Sequence, residues 1–390
     1  MPETMGYTGQ RWADLTTATI SIIIPTRNAG PEFRETLAAI RGQTRTSELV
    51  VVDSGSTDGT PDLAREFQAV TISIPPESFN HGETRNFGIR HSQGGFCIML
   101  VQDAIPVGDT WLEELVSPFS DPRVVGVTGA QVPRPDSDPV GRWQVEYRNR
   151  FLGEEMRVQE LENWDQFRSL SFQDRLRLVS FDNVCSALRR EFWERSPFEP
   201  LPFAEDLDWG VRAIAAGKRI VHHPATRVIH SHSRPGAYHM RRSYISGRIV
   251  PKLLHVEPAD SGVRNDAEFL AVLGSLCGEV RTMLARDISD WRGFNKQCTV
   301  QPGLWKSFLY ATGLQPPLPG YKLSPMRGDF YFVLEQLAEL AGKPGWNSVM
   351  VQALGEVAGA FSASYYNWCE VHGTISPGMR DLDRILSKGV

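Results

Sequence analysis

The sequence predicts an α/β protein whose first part is built on a mostly parallel sheet. Two unbroken apolar runs, at residues 20–25 and 50–52, lie about one helix length apart, and a third run follows at 96–101. Such continuous runs suit strands that are covered by helices on both faces. Helical patterns alternate with the runs, and a βαβ series of this kind winds into a parallel sheet through right-handed crossovers.

The rest of this part continues the same alternation. We expect helices at 62–68, at 82–91 and from residue 111, and strands at 70–74 and 124–127. Between residues 133 and 178 the pattern loosens into proline-rich loop and polar helix. A last apolar run ends at Ile229, directly before a His-x-His pair.

From about residue 250 the chain changes to helical patterns alone. These patterns fall at 267–285, 330–340, 348–370 and 380–386, and a proline-rich segment at 316–320 separates two of them. We therefore predict three parts: a tail at residues 1–17, an α/β domain at 18–250 and a helical C-terminal domain at 251–390.

Composition restricts the class of protein. A chain of 390 residues with 41% hydrophobic residues is typical of a globular protein with one large and one smaller domain. A net charge of −5 argues against a general nucleic-acid binder. The five cysteines are far apart and form no metal pattern, as in reduced cytoplasmic proteins. The absence of a signal-peptide core or an 18-residue apolar window also favours the cytoplasm.

Acidic residues follow two of the predicted strands. Asp53 and Asp103 should lie at the carboxyl edge of the sheet, where open α/β sheets bind ligands. Asp53 could accept a hydrogen bond from a pyrimidine ring N–H, and Asp103 could help to hold a divalent cation. The alternative is structural, because aspartates are common in turns and helix caps. We favour that alternative for the neighbouring Ser56, Thr57 and Asp58.

Three acids, Glu205, Asp206 and Asp208, precede a predicted helix at 210–216. A helix start stabilises negative charge, and a carboxylate held there could accept a proton from a sugar hydroxyl. The alternative is helix capping. Trp209 could offer a face to a sugar ring or could fill the core.

Two further clusters carry basic groups. Arg85 begins a predicted helix, where it could meet phosphate; alternatively it pairs with an acid while Asn86 ties down a loop. His230 and His232 follow a strand and should project to one side, where either could ligate a metal through a ring nitrogen. A structural role is the alternative for the histidines.

In this order the motifs resemble those of the inverting family 2 glycosyltransferases, whose nucleotide-sugar-binding domain has the GT-A fold. The resemblance covers about residues 18–250. The matching segments are residues 23–28, 51–58, 102–103 and 205–206, together with His230. A second set of segments resembles the bacterial rhamnosyltransferase branch: residues 79–86, 102–104, 182–190 and 228–232.

The resemblance implies roles for individual residues. The nucleotide and donor would be bound by Pro25, Thr26, Arg27, Asp53, Arg85, Gln102 and Asp103. Asp103, with His230, would bind Mg²⁺ or Mn²⁺, and Asp206 would be the catalytic base. Glu205 and Asp208 would hold the loop or contact acceptor hydroxyls. Apart from the resemblance, Trp209 and Asn183 are candidates for the lining of the acceptor site, although aromatic residues at such spacing more often belong to the core. The family's Asp-x-Asp motif has only one carboxylate here, Asp103, so we expect modest metal affinity.

The implied reaction is transfer of L-rhamnose from dTDP-β-L-rhamnose to a carbohydrate acceptor in bacterial surface polysaccharide assembly. Two alternatives stay open: a UDP-sugar donor, and a catalytically silent module that binds a sugar nucleotide or a glycan. The acceptor could be a free or a polyprenyl-diphosphate-linked glycan. We also expect the helical region to support a homodimer.

A basic run near the domain junction has two interpretations. It could steer the protein to the inner face of an anionic membrane, or it could be a solvated helix face. The run consists of Arg234, Arg241, Arg242, Arg248 and Lys252.

Overall fold

The computed structural model describes residues 15, 18–257, 260–285 and 345–388. The chain divides into two compact units: the first comprises Met1–Val132 and Arg148–His230, and the second Pro133–Tyr147 and Ser231–Val390. The division after His230 differs from the boundary predicted near residue 250. The reason is that the helix containing residue 250 packs extensively against a later helix of the second unit.

Strands and helices of the first unit alternate up to residue 100, as the sequence pattern predicts, and beyond it the alternation is no longer strict. In chain order they are β1 (Ile20–Thr26), α1 (Phe33–Arg41), β2 (Glu48–Asp53), α2 (Thr60–Glu66), β3 (Val70–Ser73), α3 (His81–Arg90), β4 (Phe96–Leu100), β5 (Ile105–Pro106), α4 (Trp111–Val116), β6 (Val124–Val132), α5 (Pro139–Leu152), β7 (Arg157–Gln159), α6 (Trp164–Ser169), α7 (Phe172–Val179), β8 (Cys185–Arg189), α8 (Arg190–Trp193), α9 (Glu205–Ala215) and β9 (Arg219–Ile229). Helix α5 begins in the second unit and ends in the first.

The strands form one mixed sheet in the order β3-β2-β1-β4-β8-β6-β9-β5, with β7 paired to β9. Strands β1 to β4 pair in parallel, as expected. Strand β8 is antiparallel to both of its neighbours, β4 and β6. The sequence did not predict β8, because its five residues form neither an apolar run nor a regular alternation.

The core explains why the apolar runs became strands. Every residue of β4 is buried, and β1 and β2 are nearly as enclosed. Helix α1 contributes Phe33, Leu37 and Ile40, whose spacing places them on one face of the helix. In the β1–β2 register Thr26 lies opposite Asp53, so the polar residues that end these two strands meet at one edge of the sheet.

The second unit is helical, with α10 (Gly236–Leu253), α11 (Asp266–Ala285), α12 (Trp346–His372) and α13 (Pro377–Leu386). The helices predicted at 267–285, 348–370 and 380–386 correspond to α11, α12 and α13. The helix predicted at 330–340 and the proline-rich segment at 316–320 lie outside the described residues. Among the helices that the structure does describe, none is long and apolar enough to span a bilayer.

Small residues on α12 allow it to pack closely against α10. Gly355, Gly359 and Ala363 recur every four residues and therefore share one helix face. A Cβ atom added at Gly359 would lie only 2.2 Å from the carbonyl oxygen of Met240 on α10. The contact is therefore between backbones, which only glycine permits at this position.

The basic run is partly neutralised within the second unit. Lys252 pairs with Glu370 at 2.8 Å, and Arg248 lies 3.6 Å from Glu370 and 3.8 Å from Asp383. Arg241 is exposed on α10. Two of the five residues of the run are therefore engaged in ion pairs between helices.

Candidate active site

Asp53 organises the loop that follows β2. Its Oδ1 accepts a hydrogen bond from the Thr26 hydroxyl at 3.2 Å, and its Oδ2 accepts from the backbone N–H groups of Gly55 and Ser56 at 3.2 and 3.0 Å. The side chain is buried. The carboxylate therefore fixes the shape of the edge at which the sequence predicts nucleotide binding.

The next three residues join this loop to the loop after β1. Ser56 accepts from the Asn28 backbone N–H at 2.8 Å, the Thr57 backbone N–H donates to the Asn28 side chain at 2.8 Å, and Asp58 accepts from the Gly30 N–H at 2.9 Å. Asn28 has a φ of 45°, which asparagine tolerates better than most residues. Ser56, Thr57 and Asp58 thus hold two loops together, and Asp58 also accepts from the backbone N–H of Thr60 at the start of α2, at 3.1 Å.

Gln102, which follows β4, is hydrogen-bonded to the backbone of the loop after β1. Its Oε1 accepts from the Arg27 backbone N–H at 2.9 Å, and its Nε2 donates to the Arg27 carbonyl at 3.4 Å. Arg27 itself is exposed, while Pro25 is half-buried. The residues predicted to surround the nucleotide therefore lie on two loops or strand ends that are hydrogen-bonded together. They are Pro25, Thr26, Arg27 and Asp53.

Asp103 and His230 come together although 127 positions separate them in the sequence. The Oδ1 of Asp103 lies 3.7 Å from the Nε2 of His230, with Asp103 partly exposed and His230 buried. Two ligand atoms of one divalent cation lie roughly 3–4.5 Å apart at ordinary bond lengths. A carboxylate oxygen and an imidazole nitrogen at this distance fit such a cation. His232 belongs to the second unit.

Behind His230 lies a chain of polar contacts that sequence reasoning missed. The His230 Nδ1 is 2.9 Å from the Oε1 of Gln131, and the Gln131 Nε2 donates to Asp182 at 2.8 Å. Asp182 also pairs with Arg148 at 2.7 Å. Asp182 opens one of the segments that resemble rhamnosyltransferases, but no signal marked Gln131, which lies within a strand.

Asp206 lies on the first turn of α9. One of its oxygens accepts from the Leu207 backbone N–H at 2.8 Å and the other from the Asn183 backbone N–H at 3.3 Å. Ala204, which precedes this turn, has a φ of 62°. Non-glycine residues in the left-handed region cost energy and cluster at functional sites.

The surroundings of Asp206 change its acidity. Loss of hydration raises its pKa, and the negative charges of Glu205 and Asp182 raise it further, to about 7, while Arg85 opposes the rise. A general base works best when its pKa is close to the operating pH. With a pKa of about 7, the Asp206 carboxylate is suited to act as a general base at neutral pH.

Arg85 forms the ion pair that the sequence left as the alternative to phosphate binding. Its Nη1 lies 3.0 Å from the Oε1 of Glu205, and both side chains are buried. Asn183 donates to the same Glu205 oxygen at 3.2 Å. Asn86 also follows its structural alternative, since it accepts from the backbone N–H of Phe198 at 3.0 Å.

Two further acceptor candidates, Trp209 and Asp208, lie in different surroundings. Trp209 is fully buried, donates to the Ser196 carbonyl at 2.9 Å and packs against Phe181, so it fills the core. This corrects the acceptor contact expected of Trp209, because its ring has no face open to a sugar. Asp208 is half-buried and pairs with Arg212 at 2.8 Å.

A solved structure shares the fold. The mannosyltransferase PcManGT from Pyrobaculum calidifontis, solved in complex with GDP-Man and Mn²⁺, matches with a TM-score of 0.51 at 18% identity. The match covers 92% of this chain and 91% of that chain. The likeness supports the α/β fold predicted from the strand pattern and the GT-A-like form of it that the family resemblance implied.

Sequence comparisons identify the family. The family model described as glycosyl transferase family 2 matches residues 21–195. The O-antigen chain rhamnosyltransferase WbaN of Salmonella anatum is 32% identical over 232 residues, which are 58% of this chain and 70% of that protein. RfbN of Salmonella typhimurium, with the same description, is 33% identical over 233 residues, 58% of this chain and 71% of that protein. The chain therefore belongs to glycosyltransferase family 2 and is a glycosyltransferase.

Proposed function

We propose that the protein transfers L-rhamnose from dTDP-β-L-rhamnose to a carbohydrate acceptor, with inversion at the anomeric carbon, during assembly of a bacterial surface polysaccharide. The identity to two O-antigen chain rhamnosyltransferases supports the donor sugar and the pathway. The observation that carries the chemistry is the Asp206 carboxylate, held by two backbone N–H groups and with its pKa raised to about 7.

Asp206 acts as the general base. Its carboxylate takes the proton of an acceptor hydroxyl while that oxygen forms a bond to the anomeric carbon. The bond between the anomeric carbon and the diphosphate oxygen breaks on the opposite face, and the nucleoside diphosphate leaves. General-base assistance of this kind contributes about 10²–10⁴-fold to rate.

Asp103 and His230 would hold a divalent cation, Mg²⁺ or Mn²⁺. Their 3.7 Å separation supports this role. When bound, the cation would offset the negative charge that develops on the leaving diphosphate. The Pyrobaculum mannosyltransferase, solved with GDP-Man and Mn²⁺, supports this cation by analogy.

The nucleotide would lie against Pro25, Thr26, Arg27 and Asp53. A carboxylate has about four lone-pair positions, and Asp53 already accepts from the hydroxyls of Thr26 and Ser56 and from the backbone N–H groups of Gly55 and Ser56. A hydrogen bond from a pyrimidine N–H therefore requires one of the two hydroxyls to turn away from the carboxylate. Gln102 would act on the nucleotide through the Arg27 backbone that it braces. For Arg85 a donor contact remains a prediction, whereas its ion pair supports a role in holding Glu205. Contacts of Asn183 and Asp208 with the acceptor also remain predictions.

A donor screen tests the proposal. The protein is incubated with dTDP-β-L-rhamnose, UDP-glucose, UDP-N-acetylglucosamine or GDP-mannose, each with and without Mn²⁺, and nucleotide release is measured. We expect fastest release from dTDP-β-L-rhamnose, with Mn²⁺ increasing the rate. Faster release from a UDP-sugar would favour the alternative donor. Nucleotide binding without release under any condition would favour a silent binding module.

Location and partners remain predictions. The cytoplasm is the expected compartment, a polyprenyl-diphosphate-linked glycan is one expected acceptor, and a homodimer is the expected assembly. For membrane contact, the ion pairs of Arg248 and Lys252 leave less of the basic run available than the sequence suggested.

A further inference from the structure

The side-chain amide of Gln131 lies between a histidine and a carboxylate. Its Oε1 is 2.9 Å from the Nδ1 of His230, and its Nε2 is 2.8 Å from the Oδ2 of Asp182. All three residues belong to the first unit, and Gln131 is buried on β6. A buried amide with both ends engaged has one favourable orientation.

The carboxylate determines that orientation. An ionised carboxylate can only accept hydrogen bonds, so the NH₂ end of Gln131 must face Asp182. The carbonyl end then faces His230, where only a ring N–H can complete the contact. The Nδ1 of His230 therefore carries the proton, and its Nε2, which lies 3.7 Å from Asp103, carries a lone pair.

Asp182 is itself held by donors on both oxygens. Arg148 donates to Oδ2 at 2.7 Å, and the backbone N–H of Val184 donates to Oδ1 at 2.9 Å. An asparagine would turn its NH₂ group toward one of these donors in either orientation. This position therefore requires a carboxylate, which in turn keeps the Gln131 amide from rotating.

We propose that Gln131, oriented by Asp182, is a positioning residue that holds His230 in the tautomer whose Nε2 can ligate a divalent cation beside Asp103. The inference rests on the cation-binding role given to His230 under the proposed function. Groups that orient a ligating histidine typically change metal affinity by about 10–100-fold when they are removed.

The tautomer can be measured directly in the metal-free protein. Long-range ¹H–¹⁵N spectra of ¹⁵N-histidine-labelled protein distinguish a protonated ring nitrogen from one with a lone pair, and His230→Asn identifies the signal. We expect neutral His230 to be protonated at Nδ1 in the wild type and to populate both tautomers in Gln131→Met. Protonation of Nε2 in the wild type would overturn the inference, even if the variants fail to fold.

Cation affinity provides the second measurement. Mn²⁺ binding followed by electron paramagnetic resonance should weaken about 10–100-fold in Gln131→Met. The matched control is Gln159→Met, because Gln159 is also buried but donates to the Leu178 and Ser180 carbonyls. This control should bind Mn²⁺ as the wild type does. Unchanged binding in Gln131→Met, or an equal loss in both variants, would contradict the inference.

The two measurements separate this inference from the proposed function. If the wild type binds no Mn²⁺, the cation role under the proposed function fails, while the tautomer in the metal-free protein still tests the action of Gln131. If the donor screen selects a UDP-sugar, the rhamnosyl proposal fails and the geometry behind His230 is unaffected.

Discussion

The guanidinium of Arg85 on α3 lies 3.0 Å from the carboxylate of Glu205 on α9, and both side chains are buried. The pair joins two helices whose residues are 120 positions apart. Glu205 directly precedes Asp206, so the pair also anchors the turn that carries the proposed base. Removing one partner of a buried pair leaves an uncompensated charge, which is much more costly than removing both.

Replacement of Arg85 should therefore destabilise the protein strongly. We expect Arg85→Met to lower the free energy of unfolding by about 3–5 kcal/mol, because the Glu205 carboxylate would lose its cation. Urea denaturation followed by circular dichroism measures the change. The double variant Arg85→Met/Glu205→Gln should recover a large part of the loss. A double variant as unstable as the sum of the two single variants would show that the two groups do not interact.

Turnover should depend on pH through Asp206. Its pKa of about 7 reflects lost hydration and the charges of Glu205 and Asp182, opposed by Arg85. The base must be ionised to accept a proton, so kcat/KM for the acceptor should fall about tenfold per pH unit below pH 7 and level off above it. A pH profile of kcat/KM at saturating donor and low acceptor concentration measures this, because kcat/KM reports groups of the enzyme before the acceptor binds. An acidic limb centred near pH 4 would contradict the raised pKa.

The stability of the folded protein should also depend on pH through Asp206, but it should fall with rising pH whereas turnover rises. Because the pKa of Asp206 is higher in the folded than in the unfolded chain, the folded state binds more protons between the two values. The stability contributed by protonation is present at low pH and is lost as pH rises through about 7. The stability of Asp206→Asn relative to the wild type should therefore increase as the pH rises from 5 to 8. Melting curves at both pH values measure the difference, and a constant difference would argue against a raised pKa.

The close packing of α12 on α10 makes a prediction that is independent of the site. Gly359→Ala would place a Cβ atom 2.2 Å from the Met240 carbonyl, so the helices must separate. We expect a loss of about 1–3 kcal/mol in the free energy of unfolding. The matched control is Gly274→Ala on α11, where the added atom meets nothing within 4 Å among the described residues. It should be neutral or stabilise by about 0.5–1 kcal/mol. Equal effects of the two changes would refute the backbone contact.

The α/β fold class could be predicted from sequence because its strongest signals are local. The apolar runs at 20–25 and 96–101 became β1 and β4, since side chains buried on both faces leave an uninterrupted pattern. The end of a parallel strand is also local, which is why Asp53 was expected at the sheet edge where it lies. Strand β8 carried no such pattern, so the mixed character of the sheet was not expected.

Contacts between residues that are distant in the sequence could not be predicted from local patterns. The residue type of Arg85 allows either a phosphate or a carboxylate, and only the folded chain brings Glu205 within 3.0 Å. Trp209 suits a sugar platform or a core equally well until its burial is known. Gln131 meets His230 across 99 positions, and nothing in the strand around it marks that contact.

The most direct test of Asp206 as the base is the turnover of Asp206→Asn with the donor selected by the screen, compared with Asp121→Asn. Asp121 is an ion-paired aspartate outside the site, 2.6 Å from Arg219. We expect Asp206→Asn to bind dTDP as the wild type does and to lose about 10²–10⁴-fold in kcat, while Asp121→Asn stays within a few-fold. Near-normal turnover in Asp206→Asn, with nucleotide binding intact, would contradict the assignment of Asp206 as the base.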